Sequence, residues 1–527
     1  MELDVNRLRD LHKRAEKSMN SGDFDVALDF AKQIQSLGTD PIVSCNVAGL
    51  LIDIGSTSQR EEIVKQGIGA LEKDFDAIIG NDRLAAGAYY NRGNGYYALY
   101  AMRQKDPFAY FYNTEELSNA RAFFRKALEY RADSHLKSQV WVNIGNCLDN
   151  VGRGIEALDC YEQALNCEPR HAMAIGNKGV GMLHYASVAG KHRGTFIKEA
   201  YSLLSKALEI GVQPEAASYF QDYLKKIEIH SGDKDILSSD FSGYPGYTIK
   251  SNSKIDIFLI EFCMKHRLYL NPCDFCQNCD AAIGDTAFLS QMVVSMSNGK
   301  DPIKQDPFLR LSSYLNQIKQ DYVTARLLLV FSQYKGLNLD FVDKNVRIIN
   351  TMDYSIHNIR IELIKKAFKS LADILDKVAF FINDYLNLDT SDEKVDFHSI
   401  WYDYDKKMKK NVIKTKIQQT NNISLNALFD LHLDFEYQGA FHHLKKMRNA
   451  LTHRFINVRE MLDKEDDENI SPETLRSRTI ELACLTRSSI LYLLQFVDLE
   501  ERKNKAENFI TLTAQEIPDN LKYFNVL

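Results

Sequence analysis

The amino-acid sequence predicts an all-α protein in two parts, a helical repeat array followed by a helical bundle. Three observations predict it. Across 527 residues there are only 10 prolines and 26 glycines, and apolar residues return at helical spacing in run after run. In the first two-fifths of the chain, small and aromatic residues recur at an interval of about 34, the length of one helix–turn–helix unit. Past residue 310 come long stretches with an apolar stripe on one face, which have to bury it against one another.

The composition bounds the function before any motif is read. A length of 527 residues suits about two to four domains, each able to bury a core. With 45 % hydrophobic and 26 % charged residues and a formal charge of −6, the chain is not a polycation that coats nucleic acid. Any RNA-binding surface must be a local patch. Nine cysteines lack the dense, even framework of a secreted disulfide protein. The start, M-E-L-D-V-N-R-L-R-D, holds no apolar signal segment, and no run approaches about 18 apolar residues. The expectation is a cytoplasmic protein with no membrane partner.

The array is expected over residues 1–230. Between Lys137 and Arg170 the positions Trp141, Gly145, Leu148, Ala157, Tyr161, Ala164 and Pro169 define one unit. Gly145 and Ala157 are small where paired helices cross, Trp141 and Tyr161 fill the space between, and Pro169 ends the second helix. One unit on, Gly179 and Met182 keep the register, and Ala200, Leu204 and Ala207 resume it after an insertion near His184–Phe196. One unit back, Tyr89, Gly93 and Tyr96 pair with Ala120, Phe124 and Ala127 across an insertion at Tyr100–Leu117. Gly22-Asp23-Phe24-Asp25 is a turn before Ala27 and Ala31, and Gly49 falls on the next glycine position. These residues resemble the tetratricopeptide (TPR) family, in four or five repeats. The resemblance implies an α-solenoid whose concave face binds a peptide or protein partner. The tyrosines Tyr96, Tyr97, Tyr100, Tyr110 and Tyr112 read as a recognition surface or as packing between helices.

Residues 231–310 read as a junction, richer in Ser, Gly and Asp, with Gly243-Tyr244-Pro245-Gly246 as a turn. It carries Cys263, His266, Cys273, Cys276 and Cys279. A structural zinc site wants two separated ligand pairs, whereas this cluster is compressed, so reduced thiols without metal are expected and zinc is the alternative. No cofactor is expected.

The second helical domain is expected over 311–505, followed by a tail at 506–527. Leu311–Tyr334 is a helix with Asp321 and Arg326 as its notable polar residues, and a longer one spans Met352–Leu388, with Asp376 and Lys377 inside an apolar run. Charges there either face a site or pair with other buried charges. Lys406, Lys407, Lys409, Lys410, Lys414 and Lys416 form the densest positive run, in a stretch of low order that reads as a phosphate-attracting loop or a solvated linker. An acidic loop spans Asp463–Glu468, and Ser471-Pro472 opens the last helix with a cap and a proline at its first position.

Between them lies the stretch with the most chemistry, Leu444–Arg454, reading L-K-K-M-R-N-A-L-T-H-R. Leu444, Met447, Leu451 and Phe455 are its expected buried stripe, with Asn449 and His453 one turn apart on another face. Arg448, Asn449 and His453 bring together a guanidinium, a carboxamide and an imidazole, which suit holding a phosphodiester while moving a proton near neutral pH. Four or five helices with R-N-x-x-x-H on the penultimate one resemble the HEPN superfamily (higher eukaryotes and prokaryotes nucleotide-binding), and the linked array resembles a bacterial branch of it.

The resemblance implies a bundle that forms a homodimer or higher oligomer and acts as a metal-independent endoribonuclease. His453 would be general base or acid, Arg448 would hold the phosphate, Asn449 would orient either, and Asp376 would fix the Arg or His. Lys445, Lys446, Arg454, Lys377, Lys406, Lys407, Lys409 and Lys410 would contact RNA. The products would be a 2′,3′-cyclic phosphate and a 5′-hydroxyl, from an effector of stress or anti-phage defence governed by the array. The alternatives are a non-catalytic adaptor and a scaffold that binds a nucleotide or RNA without cutting.

Overall fold

The glycines of the array mark where its helices touch. A Cβ built on Gly145 would meet the Tyr161 ring at 2.5 Å, and one on Gly93 would meet the Phe124 ring at 2.5 Å. Only a residue without a side chain lets those aromatic rings lie against the neighbouring backbone. The computed structural model describes residues 4–103, 112–186, 193–230, 236–238, 247–272, 280–289, 291–295, 307–503, 509–513, 517 and 522. Among these, helices predominate, with three two-stranded sheets beside them.

The chain divides into two compact units. The first is Met1–Phe241 together with Phe429–Lys445; the second is Ser242–Leu428 together with Lys446–Leu527. A bundle continuous from 311 to 505 does not anticipate that Phe429–Lys445 groups with the array.

In the first unit the helices pair as Val5–Asn20 with Phe24–Gln35, Pro41–Thr57 with Glu61–Lys73, and Asp82–Arg103 with Glu115–Glu129. Ser134–Asn150 pairs with Gly154–Cys167 and Ala172–Ala186 with Arg193–Ile210, and Pro214–Ile229 follows. Gly22, at φ +81°, makes the first inter-helix turn. Tyr96 stacks on Phe123 at 5.4 Å and Tyr100 is buried, so these tyrosines pack between helices. Tyr112 is buried against Phe429 at 5.5 Å, and Tyr110 lies outside the described residues.

One feature of this unit is not anticipated by the repeat pattern. Arg121, Arg153, Asp430 and Asp434 form a cluster at 1 % exposure or less. Arg121 Nη2 reaches Asp430 at 2.6 Å and Asp434 at 2.8 Å, and Arg153 Nη1 reaches the same two at 3.0 and 2.6 Å. Ser118 donates to Asp434 at 2.8 Å. Burial alone would raise the Asp434 carboxyl, but the two guanidinium charges outweigh it and bring it down to about 2.

The second unit packs Pro307–Gln333 along Ile359–Leu386, and that helix along Pro472–Lys503. The long helix starts at Ile359, not at Met352: Asn358 caps it by accepting from the Ile361 N–H at 3.0 Å, while Met352 and Tyr354 take positive φ of 53° and 59°. Buried Arg326 forks onto Asp285 at 2.6 and 2.7 Å, and buried Arg487 donates to the Tyr269 and Asn271 carbonyls. Ser471 caps the last helix by accepting from the Thr474 N–H at 3.1 Å. That helix is long and apolar enough to cross a membrane, but 78 % of its apolar window is buried, which is what the central helix of a bundle requires.

The lysine-rich stretch is not of low order. It folds as an antiparallel hairpin, Tyr402–Asp405 with Lys410–Ile413. Cys263 is buried, which pushes its thiol up to about 12, and half-buried His266 is brought down to about 4, chiefly by burial. Cys273, Cys276 and Cys279 lie outside the described residues. Among the described residues no cluster of His, Cys, Asp and Glu is arranged to hold a metal ion.

Removing one member of the buried cluster leaves the opposing charges uncompensated. Asp434→Ala should destabilise the first unit by about 3–5 kcal/mol. Urea unfolding followed by Trp141 fluorescence, in a Trp401→Phe background, measures this.

Candidate active site

The motif helix spans His442–His453, shorter than its apolar pattern predicts. Its buried side is Leu444, Met447 and Ala450, led in by buried Phe441. Phe455, expected on that stripe, lies beyond the helix and is 84 % exposed, and Leu451 is only half-buried. The turn at Arg454 releases the backbone before Phe455 can complete the stripe.

Asn449 and His453 are exposed and one turn apart, as the spacing predicts. Arg448 lies about 140° round the axis from His453 and points to the long helix Ile359–Leu386. There its Nη2 meets Asp376 Oδ2 at 2.5 Å, with both side chains partly exposed. The other Asp376 oxygen accepts from the Phe397 N–H at 3.0 Å. Burial raises the Asp376 carboxyl, the Phe397 N–H and Arg448 lower it, and the net value is above the ordinary carboxylate one. Asp376 therefore takes stability from the fold as pH rises from the ordinary carboxylate value through its own, a loss that the Arg448 charge reduces but does not cancel.

Phe397 links this pair to the hairpin. Its ring meets Trp401 edge-on at 6.0 Å, and the Trp401 indole donates to the Phe397 carbonyl at 2.8 Å. Trp401 leads directly into the strand Tyr402–Asp405. Burial of an indole thus fixes a backbone N–H, the N–H fixes a carboxylate, and the carboxylate fixes a guanidinium.

The expected RNA-contacting cations separate into two groups. Lys377 pairs with Asp321 on Pro307–Gln333, Lys446 with Asp467 at 3.0 Å, and Arg454 with Glu468 at 3.7 Å. Lys445 pairs with Glu436 at 2.9 Å. Each of these four is thus paired with a carboxylate, two of them through the acidic loop, and the pairs are partly exposed. Lys406, Lys407, Lys409 and Lys410 sit exposed at the tip of the hairpin. Lys414, in the same run, is buried and donates to Thr390 Oγ1 at 2.5 Å.

Residues 304–500 match the family model for LA2681-like HEPN. The chain carries a HEPN domain. The match covers the helices that bear Asp376, Arg448 and His453, and the HEPN assignment points to a nuclease or nucleotide-related function. No match is found among curated proteins. Among solved structures, MamA of AMB-1 is 18 % identical over 39 % of this chain and 99 % of its own, with a TM-score of 0.24. The yeast Sti1 TPR2AB domain in complex with pHSP90 is 12 % identical over 42 % of this chain and 97 % of its own, with a TM-score of 0.17. Human IFIT1, a dimer with m7Gppp-AAAA, is 13 % identical over 68 % of this chain and 80 % of its own, with a TM-score of 0.23. At such scores these likenesses carry no weight; what the structure shows of the first unit is paired helices in contact through glycines.

The HEPN site predicts a titration. Arg448→Ala removes the counter-charge while burial remains, so the Asp376 carboxyl should rise further. Carboxylate NMR of labelled protein checks the direction against wild type.

Proposed function

We propose that the HEPN domain is a metal-independent endoribonuclease governed through the TPR array, of the kind that serves as a stress or anti-phage effector. The observation that carries this reading is the pairing of a guanidinium held by Asp376 with an exposed Asn449–His453 face on the same helix. RNA brings its own nucleophile, the 2′-OH. An imidazole takes its proton, the 2′-oxygen bonds to phosphorus, the bond from phosphorus to the 5′-oxygen breaks, and an acid protonates that oxygen. Arg448 balances the charge that builds on phosphorus. Asn449 orients the imidazole or the phosphate. The hairpin lysines Lys406, Lys407, Lys409 and Lys410 draw in the RNA backbone, a term that weakens with salt.

A base on one side of phosphorus and an acid on the other call for two imidazoles, hence for two motif helices in one groove. A homodimer supplies both, because a two-fold interface repeats each contact. An exposed apolar arm supports this: Phe341, Val346, Ile348, Ile349, Met352 and Tyr354 are solvent-facing, Met352 at 87 %. Backbone hydrogen bonds from Glu460 to Tyr354 and from Ile356 to Val458 fasten the end of this arm beside the chain that leaves the motif helix.

One observation favours an adaptor instead. Arg448 is already paired to the bundle's own Asp376, as a strut needs no substrate. The two readings part on catalysis. Purified protein with RNA in excess chelator should yield 2′,3′-cyclic phosphate and 5′-hydroxyl ends and leave DNA uncut. His453→Ala should lower the rate by about 10²–10⁴-fold without unfolding the protein, and Arg448→Ala should also abolish cleavage. Full activity in a folded His453→Ala protein would refute the role given to His453, and a wild-type protein that cuts no RNA leaves the adaptor. Mixed Arg448→Ala and His453→Ala protomers should regain some activity on subunit exchange, and cleavage by a strict monomer would refute the shared groove.

A further inference from the structure

The helix that bears the R-N-x-x-x-H residues does not begin in the unit that holds them. Residues 442–445 belong with the array and residues 446–453 with the second unit. The preceding helix, Ile423–Phe435, is divided the same way at Leu428. Phe429–Lys445 is thus joined to the second unit at both ends through unbroken helix. A helix transmits a tilt or rotation along its length, where a flexible loop would absorb it.

The anchors of that segment are unusually firm. Asp430 and Asp434 lie one turn apart and share both Arg121 and Arg153. The turn to the motif helix is tied to the same place, since the Phe441 N–H donates to the Asp434 carbonyl at 2.7 Å. Gly439 permits that turn: a Cβ there would meet the Leu433 and Asp434 carbonyl oxygens at 2.5 Å. The Arg125 guanidinium lies over the buried Phe441 ring at 4.4 Å, and Lys445 closes onto Glu436. Ser118, Arg121 and Arg125 all stand on Glu115–Glu129, and Arg153 caps Gly154–Cys167.

A buried ion cluster gives less stability than apolar side chains of the same volume, and its distinctive gift is a fixed register. This one is also incomplete, with Arg121 Nη1 and Asp430 Oδ1 buried without a hydrogen-bond partner among the described residues. We propose that Arg121, Arg125, Arg153, Asp430 and Asp434 are positioning residues, through which the packing of two adjacent array hairpins sets the placement of Arg448, Asn449 and His453. A partner that alters how Glu115–Glu129 is set relative to Gly154–Cys167 moves the guanidinium groups, and the motif helix moves with them. The catalytic half of this rests on the ribonuclease reading; the mechanical half does not.

The test uses the full chain and two readouts. Hydrogen exchange of Asp430→Asn/Asp434→Asn should rise by about tenfold or more across 442–453, with amides of residues 5–103 unchanged. RNA cleavage by the same variant should show kcat changed by about tenfold with KM within about twofold, since positioning and not binding is altered. Unchanged exchange at 442–453 overturns the proposal. If the double variant also loses protection over residues 5–103, Arg125→Ala decides, because it leaves Arg121, Arg153, Asp430 and Asp434 in place: several-fold faster exchange at 442–453, reversed by Arg125→Lys, supports the proposal, and no change overturns it. A wild-type protein that cuts no RNA refutes the ribonuclease reading alone, and the exchange measurement still decides the coupling.

Discussion

Two arginines and two aspartates out of reach of water impose the main constraint on this chain. Four charges at that depth are tolerable only if each faces the opposite sign at hydrogen-bond distance, so the helices that carry them have little freedom of register. Glu115–Glu129, the start of Gly154–Cys167 and the end of Ile423–Phe435 are fixed together by that requirement. The tight turn through Gly439 and the start of the motif helix follow from it. What the glycine–aromatic contacts do between the two helices of a hairpin, the charge cluster does for a segment that returns from far along the sequence.

At the motif helix electrostatics act in the opposite sense, to spare one group and not to bury it. Carboxylates take up Lys377, Lys445, Lys446, Arg448 and Arg454 in turn, through Asp321, Glu436, Asp467, Asp376 and Glu468. Five of the cations that the sequence places near His453 therefore each face a carboxylate. Of the cations expected to meet RNA, Lys406, Lys407, Lys409 and Lys410 stand exposed at the hairpin tip, on the strands that Trp401 connects to the Asp376–Arg448 pair. Attraction of a polyanion and placement of the guanidinium are assigned to different residues joined by one chain of contacts.

Much of this was legible beforehand. Helical periodicity, the recurring Gly–aromatic pairs and the Arg448–Asn449–His453 spacing are local patterns, and local patterns survive folding when one face is buried. Asp376 was legible as a charge inside an apolar run, which needs a partner. The misreadings have physical causes. Phe455 continued the stripe on paper, but the helix ends at His453. Met352 and Tyr354 fit a helical pattern while adopting positive φ. The lysine-rich stretch lacked apolar alternation because both hairpin strands are largely exposed. The charge cluster left one trace, two aspartates four apart in the otherwise apolar I-S-L-N-A-L-F-D-L-H-L-D-F, and their partners lie too far away in sequence for any window to connect them.

That separation has a cost during synthesis. Arg121 and Asp434 stand 313 residues apart. At roughly 5–20 residues per second, the array leaves the ribosome roughly 15–60 s before its buried guanidinium groups can meet Asp430 and Asp434. Through that interval Arg121 faces water or a chaperone, Arg153 has only Glu156 of its own helix, and Phe124 and Tyr161 pack beside an open seam. The hairpins nearest the start of the chain, whose contacts are local, close early. The middle of the array is finished only when the last third of the protein arrives, so a chain cut short before Asp430 is born with its centre unsealed.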